Sequence, residues 1–101
     1  MAKMLTVEQI QKGVHKIAPN YDIKRVSLFG SFASGNPTEN SDVDLLVTFF
    51  DKPKKPITLF TIAGIMEDME NITQRRVDVI EYPLPQGSLL EINKEVLLYA
   101  V

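Results

Sequence analysis

Near the start of the chain, apolar side chains recur at helical spacing. Val7, Ile10, Val14 and Ile17 form the stripe, Thr6 and Gln9 stand where a capping box would, and Pro19-Asn20 ends the pattern. A first helix is therefore predicted from about residue 6 to 18. From Arg25 to Gly30 polar and apolar residues alternate, as in a half-buried strand. Ser31 to Gly35 reads as a short helical turn closed by glycine, followed by the loop Asn36-Pro37-Thr38-Glu39-Asn40. Val43 to Phe50 is rich in branched and aromatic residues and predicts a second strand. Asp51 to Pro56 carries two prolines and three lysines, which deny both helix and central strand. Leu59, Ile62, Met66 and Met69 mark a long helix over about residues 58 to 72, and Arg76 to Tyr82 a third strand. After Pro83 and Pro85, the spacing of Leu89, Ile92, Val96 and Tyr99 predicts a last helix. The fold class expected is α/β (α+β), with a small mixed sheet of about three strands and helices packed on it.

At 101 residues the chain fits one domain, residues 1–101. Eleven Lys and Arg against thirteen Asp and Glu give a net charge of −2, which argues against a protein that grips nucleic acid through a broad basic surface. No sequence-specific nucleic-acid binding is expected. With no cysteine, disulfides, thiol catalysis and cysteine-ligated zinc are excluded; with His15 alone, a multi-histidine metal site within one chain is excluded too. No apolar run approaches the ~20 residues that span a bilayer, and the first residues lack the order of a secretory signal. The expectation is a soluble cytoplasmic protein away from membranes.

Within this ordinary composition, Ser41-Asp42-Val43-Asp44-Leu45-Leu46-Val47 is anomalous. Residues i and i+2 of a strand share a face, so Asp42 and Asp44 project together beside an apolar run. Like charges held so close raise each other's pKa unless something positive lies between them. A hard divalent cation such as Mg²⁺ is the economical remedy. Asp78, between Val77 and Val79, repeats the anomaly in the third strand. If the second and third strands are neighbours, the three acids form a cluster of the kind that holds two metal ions. Asp42 alone could equally cap a turn with Ser41, but three acids in two apolar strands would each need a buried partner. Upstream, Gly30-Ser31 follows the first strand and opens the short helical turn. A glycine there lets backbone approach a phosphate, and a helix start offers free N–H groups.

Taken in order, Leu28-Phe29-Gly30-Ser31-Phe32-Ala33-Ser34-Gly35, Ser41 to Val47, and Val77-Asp78-Val79 with a C-terminal helix resemble the nucleotidyltransferases of the DNA polymerase beta superfamily. Within it the resemblance is to the minimal nucleotidyltransferases, or MNT domains, and covers nearly the whole chain. The resemblance implies a palm-like fold in which Gly30 and Ser31 bind the triphosphate of ATP or another nucleoside triphosphate. Asp42, Asp44 and Asp78 would be the catalytic acids and the ligands of two Mg²⁺ ions, with Asp78 also helping to deprotonate the attacking hydroxyl. It further implies transfer of a nucleoside monophosphate, AMP from ATP, to a hydroxyl. Many MNT proteins resemble antitoxins of HEPN-domain ribonuclease toxins, and some adenylylate a tyrosine of the toxin. The alternative, from another class, is a non-catalytic module that neutralises a HEPN partner by contact. Family members often carry basic residues after the Gly-Ser, where this chain has Phe32 and Ser34. Arg75, Arg76, Lys52, Lys54 and Lys55 are candidates to replace them.

His15 lies beside the apolar stripe of the first helix and is expected at a boundary rather than as a ligand. Tyr21, Tyr82 and Tyr99 suit core or interface positions, or stacking on a base. Phe60, Ile65 and Ile72 on the long helix, with Leu90 and Leu97 near the C-terminus, widen the apolar stripes. A thick core explains them, as does docking to a second subunit or another protein.

Overall fold

Thr6 caps α1 (Val7–Ile17) through the reciprocal arrangement its sequence predicts. Gln9 N–H donates to Thr6 Oγ1 at 3.2 Å, and Thr6 N–H donates to Gln9 Oε1 at 2.9 Å. A 3₁₀ turn, Ala18–Tyr21, then carries the chain past Pro19 to Asp22 in the left-handed region. There follow β1 (Ile23–Phe29), α2 (Ser31–Ser34), β2 (Val43–Phe49), α3 (Leu59–Thr73), β3 (Val77–Glu81) and β4 (Val96–Ala100). The computed structural model describes residues 5–82 and 94–101.

The sheet has four strands in the order β3-β2-β1-β4, one more than the pattern predicts. β1 is antiparallel to both β2 and β4, whereas β2 and β3 are parallel. Parallel neighbours need a crossover, and α3 supplies it across one face of the sheet. Where a last helix is predicted, Val96 and Tyr99 stand instead in β4, paired with β1. Leu89, Leu90 and Ile92 lie outside the described residues. Leu97, Leu98 and Tyr99 make an apolar run too short for periodicity to separate strand from helix. Pairing with the outer edge of β1 decides it.

On the helix-facing side, Val26, Leu28, Val43, Leu45, Val47, Val77 and Leu98 meet Ile10, Val14 and Ile17 of α1 and Ile65 and Met69 of α3. All are buried. The expected stripe of α3 is only partly used, since Leu59 and Phe60 in its first turn are 86% and 89% exposed. Strand alternation therefore sends Asp44 and Asp78 to the face opposite the helices, at the sheet end where β1 turns into α2.

Candidate active site

Gly30 and the acids are brought together by strand register. Phe29 is the partner of Asp44 across the antiparallel pair, and Asp44 is the partner of Asp78 across the parallel one. Asp42 lies just before β2, half-buried, and its charge acts on Asp44. All five residues singled out in the sequence thus lie at one end of the sheet. Gly30, at φ 74° and ψ −150°, occupies backbone space that side chains other than glycine's avoid. A second constraint was not legible in the sequence: a Cβ built on Gly30 would strike the Asp44 carboxylate. Glycine is required there to seat Asp44 as well as to turn the chain. Ser31 is exposed at the start of α2, and no side chain caps that turn. Its first N–H groups are the ones a helix leaves without intrahelical acceptors. Phe32, in contrast, is buried in the core.

The Asp44 carboxyl is pushed above the ordinary aspartate value. Burial is the main cause, followed by the charges of Asp78 and Asp42 and by a hydrogen bond to Asp78 that the protonated form makes. The cation nearest in sequence offsets little, since Arg76 Nε lies 3.9 Å from Asp78 Oδ1 and both side chains are well exposed. Among the described residues, no group of three or more acidic or histidine side chains already forms a metal cage. The donor set is nevertheless of the right chemistry for Mg²⁺: carboxylate oxygens only, in mutual repulsion, facing solvent on which further oxygens could complete an octahedron.

Support for this end of the sheet comes from groups that no motif marks. Arg75 Nη1 donates to the carbonyls of Thr38 and Ser41, each at 3.1 Å, tying down the loop that leads into Asp42. Ser41 Oγ accepts from Thr38 N–H at 2.7 Å, closing the same loop. Glu70 Oε2 accepts from Val77 N–H at 3.0 Å, anchoring the strand that carries Asp78. Arg75 thus serves the loop backbone, and Arg76 stays beside Asp78. Lys52, Lys54 and Lys55 follow the far end of β2, about 20 Å of strand away from Asp42. That separation removes them as substitutes for a basic residue after Gly30-Ser31. His15 is exposed, with Nε2 2.9 Å from Leu98 O and its ring edge-on to Tyr99, a boundary position as expected. Tyr21 donates to Asp68 at 2.5 Å, far from the acids along the chain's fold, so it holds α3 rather than a base.

Comparison with known proteins shows the family and the fold. The family model described as polymerase beta, nucleotidyltransferase matches residues 11–99. Protein adenylyltransferase MntA of Thermococcus cleftensis is 32% identical over 98 residues, covering 92% of this chain and 95% of its own. A crystal structure of a toxin–antitoxin with AMP-PNP superposes with a TM-score of 0.71 at 16% identity, covering 90% of this chain and 73% of its counterpart. A complex of tri-AMPylated HEPN toxin with MNT antitoxin from Shewanella oneidensis gives 0.61 at 12% identity, covering 93% and 72%. At these identities the two structures establish a shared fold. The four-stranded sheet with helices on one face is a nucleotidyltransferase fold.

Proposed function

The chain belongs to the polymerase beta nucleotidyltransferase family, and from that premise we propose that it is a Mg²⁺-dependent protein adenylyltransferase. It moves AMP from ATP to a hydroxyl, a tyrosine of a partner HEPN toxin, and so acts as an antitoxin in the cytoplasm. Residues 1–101 form one minimal catalytic domain. The observation that carries this reading is the register of Asp44 beside Asp78, with Asp42 close by and Gly30-Ser31 at the end of the adjoining strand. The name of the Thermococcus relative supports AMP as the transferred group, and the complex with an AMPylated HEPN toxin supports the partner class.

In this reading Gly30 and Ser31 hold the triphosphate through backbone N–H groups and the Ser31 hydroxyl. Asp42, Asp44 and Asp78 hold two Mg²⁺ ions, which when bound neutralise charge on the phosphate oxygens and favour loss of the hydroxyl proton. The acceptor oxygen attacks the α-phosphorus, the bond to the β-phosphate oxygen breaks, and pyrophosphate leaves. Asp78 receives the hydroxyl proton; Arg75 keeps Asp42 in place by fixing the 38–41 loop.

The test is incubation of the full chain with labelled ATP, Mg²⁺ and a HEPN-domain protein as acceptor. Label should pass to that protein and fall at least ~100-fold in Asp42→Ala. A stable complex that takes no label would overturn the catalytic reading in favour of neutralisation by contact.

A further inference from the structure

A cavity of about 610 Å³ lies away from the acids, between α1 and the junction of α3 with β3. None of Gly30, Ser31, Asp42, Asp44 or Asp78 lines it. Its size is that of pockets which take nucleotide-sized ligands. Its charge is opposite to that of the chain. Lys12, Lys16 and Arg75 face it against one acid, Glu39, in a protein of net charge −2. The cavity at Arg25, by comparison, is balanced by Glu95 at 3.3 Å.

Three features set these cations apart from ordinary solvated charge. Lys12 and Lys16 stand at i and i+4, where like charges repel on a helix. Lys16 in the last turn suits the helix dipole, and Lys12 stands one turn after Glu8, which partly offsets its charge. Among the described residues neither lysine has an ion-pair partner. Gln74 adds a second sign, because it occupies the left-handed position after α3, φ 57°, where glycine is the unstrained choice. Its side chain lines the cavity, with Nε2 held by Asn71 O at 2.8 Å. Arg75 contributes a planar guanidinium of which, among the described residues, Nη1 is committed to the Thr38 and Ser41 carbonyls; its other N–H groups suit a phosphate. Gly13 sets the floor, since its missing side chain leaves α1 close against Ile72.

We propose that this cavity is a second anion site, for a small phosphate-bearing ligand held by Lys12, Lys16 and Arg75, independent of the acidic site. The ligand touches the residue that fixes the loop before Asp42, so its occupancy stiffens that loop.

Inorganic pyrophosphate is the probe, added to the full chain in EDTA, where divalent ions are removed, with amide resonances followed by NMR. Saturable shifts are expected at Lys12, Gly13, Gln74 and Arg75. The exposed double variant Lys12→Gln/Lys16→Gln should weaken binding at least tenfold with an unchanged melting temperature. Asp42→Asn, which disables the proposed transfer, should bind pyrophosphate as the unaltered chain does. Shifts confined to Gly30 and Ser31, or equal shifts with chloride at matched ionic strength, would overturn the proposal. Tighter binding of a single-stranded RNA oligonucleotide than of pyrophosphate would also overturn it, by making the cavity part of a nucleic-acid surface.

Discussion

At Gly30 two demands meet in one atom's absence. The backbone takes a conformation reserved for glycine, and the space of a Cβ is filled by the Asp44 carboxylate. Gly30→Ala should therefore lose about 1–3 kcal/mol in urea denaturation and displace Asp44, with transfer activity lost alongside. Asp44 itself is a cost to the fold. Its carboxyl sits above the ordinary value when folded, so the stability tied to its proton is present at acid pH and lost as pH rises through the folded value. In EDTA, Asp44→Asn should raise Tm by about 2–5 °C at neutral pH, and the gain should vanish below about pH 3, where the unfolded group is protonated too. A variant without gain at neutral pH would mean the repulsion is relieved some other way. Tyr21 follows the same sign of linkage, but in the alkaline range. Burial, then Asp68, pushes its hydroxyl from 10.0 to about 12. Its contribution holds below pH 10 and is lost between there and about 12, as the unfolded tyrosine ionises first. Tyr21→Phe should be about 1 kcal/mol less stable at neutral pH, with the difference closing over that alkaline window.

α1 crosses α3 closely at Gly13. A Cβ on Gly13 would stand 2.9 Å from Ile72 Cγ2 and 3.2 Å from Met69 Cε. Met69 Cε can swing aside, but Ile72 Cγ2 is the short branch of a side chain stiff at χ1, so Gly13→Ala should lose about 1 kcal/mol, the crowding exceeding the gain in helix propensity. Gly13→Leu should cost about 1–3 kcal/mol by forcing the helices apart, which chemical denaturation would measure. Elements also separate what sequence can and cannot tell. The capping box of α1 depends on contacts three residues apart, and it formed as written. β4 depends on a partner more than sixty residues away, and the same apolar spacing was compatible with a helix.

For the whole molecule, sheet order fixes the chemistry. The crossover through α3 puts β3 beside β2 in parallel, and the register then aligns Asp78 with Asp44. With the helices on one face, the acids stand on the other, which no described helix covers. ATP with Mg²⁺ should stabilise the folded chain by about 2.7 kcal/mol at a free concentration about 100 times its Kd. A thermal-shift series would read this, and Asp44→Asn, which lacks a carboxylate ligand, should shrink the shift. A shift unchanged in that variant would place the nucleotide elsewhere.

The order of residues was enough to reveal α1, β1, α2, β2, α3 and β3, to mark Asp42, Asp44 and Asp78 as out of place beside apolar runs, and to single out Gly30-Ser31 as a turn suited to a phosphate. Those features are local: periodicity, caps, and a charge where none can be buried cheaply. Only the fold decided that Val96–Ala100 is a strand, that Arg75 holds the loop before Asp42, and that Lys52, Lys54 and Lys55 lie at the wrong end. It also decided why position 30 has no side chain. Each of these turns on which distant segments become neighbours, and a linear spacing does not encode a distance through space.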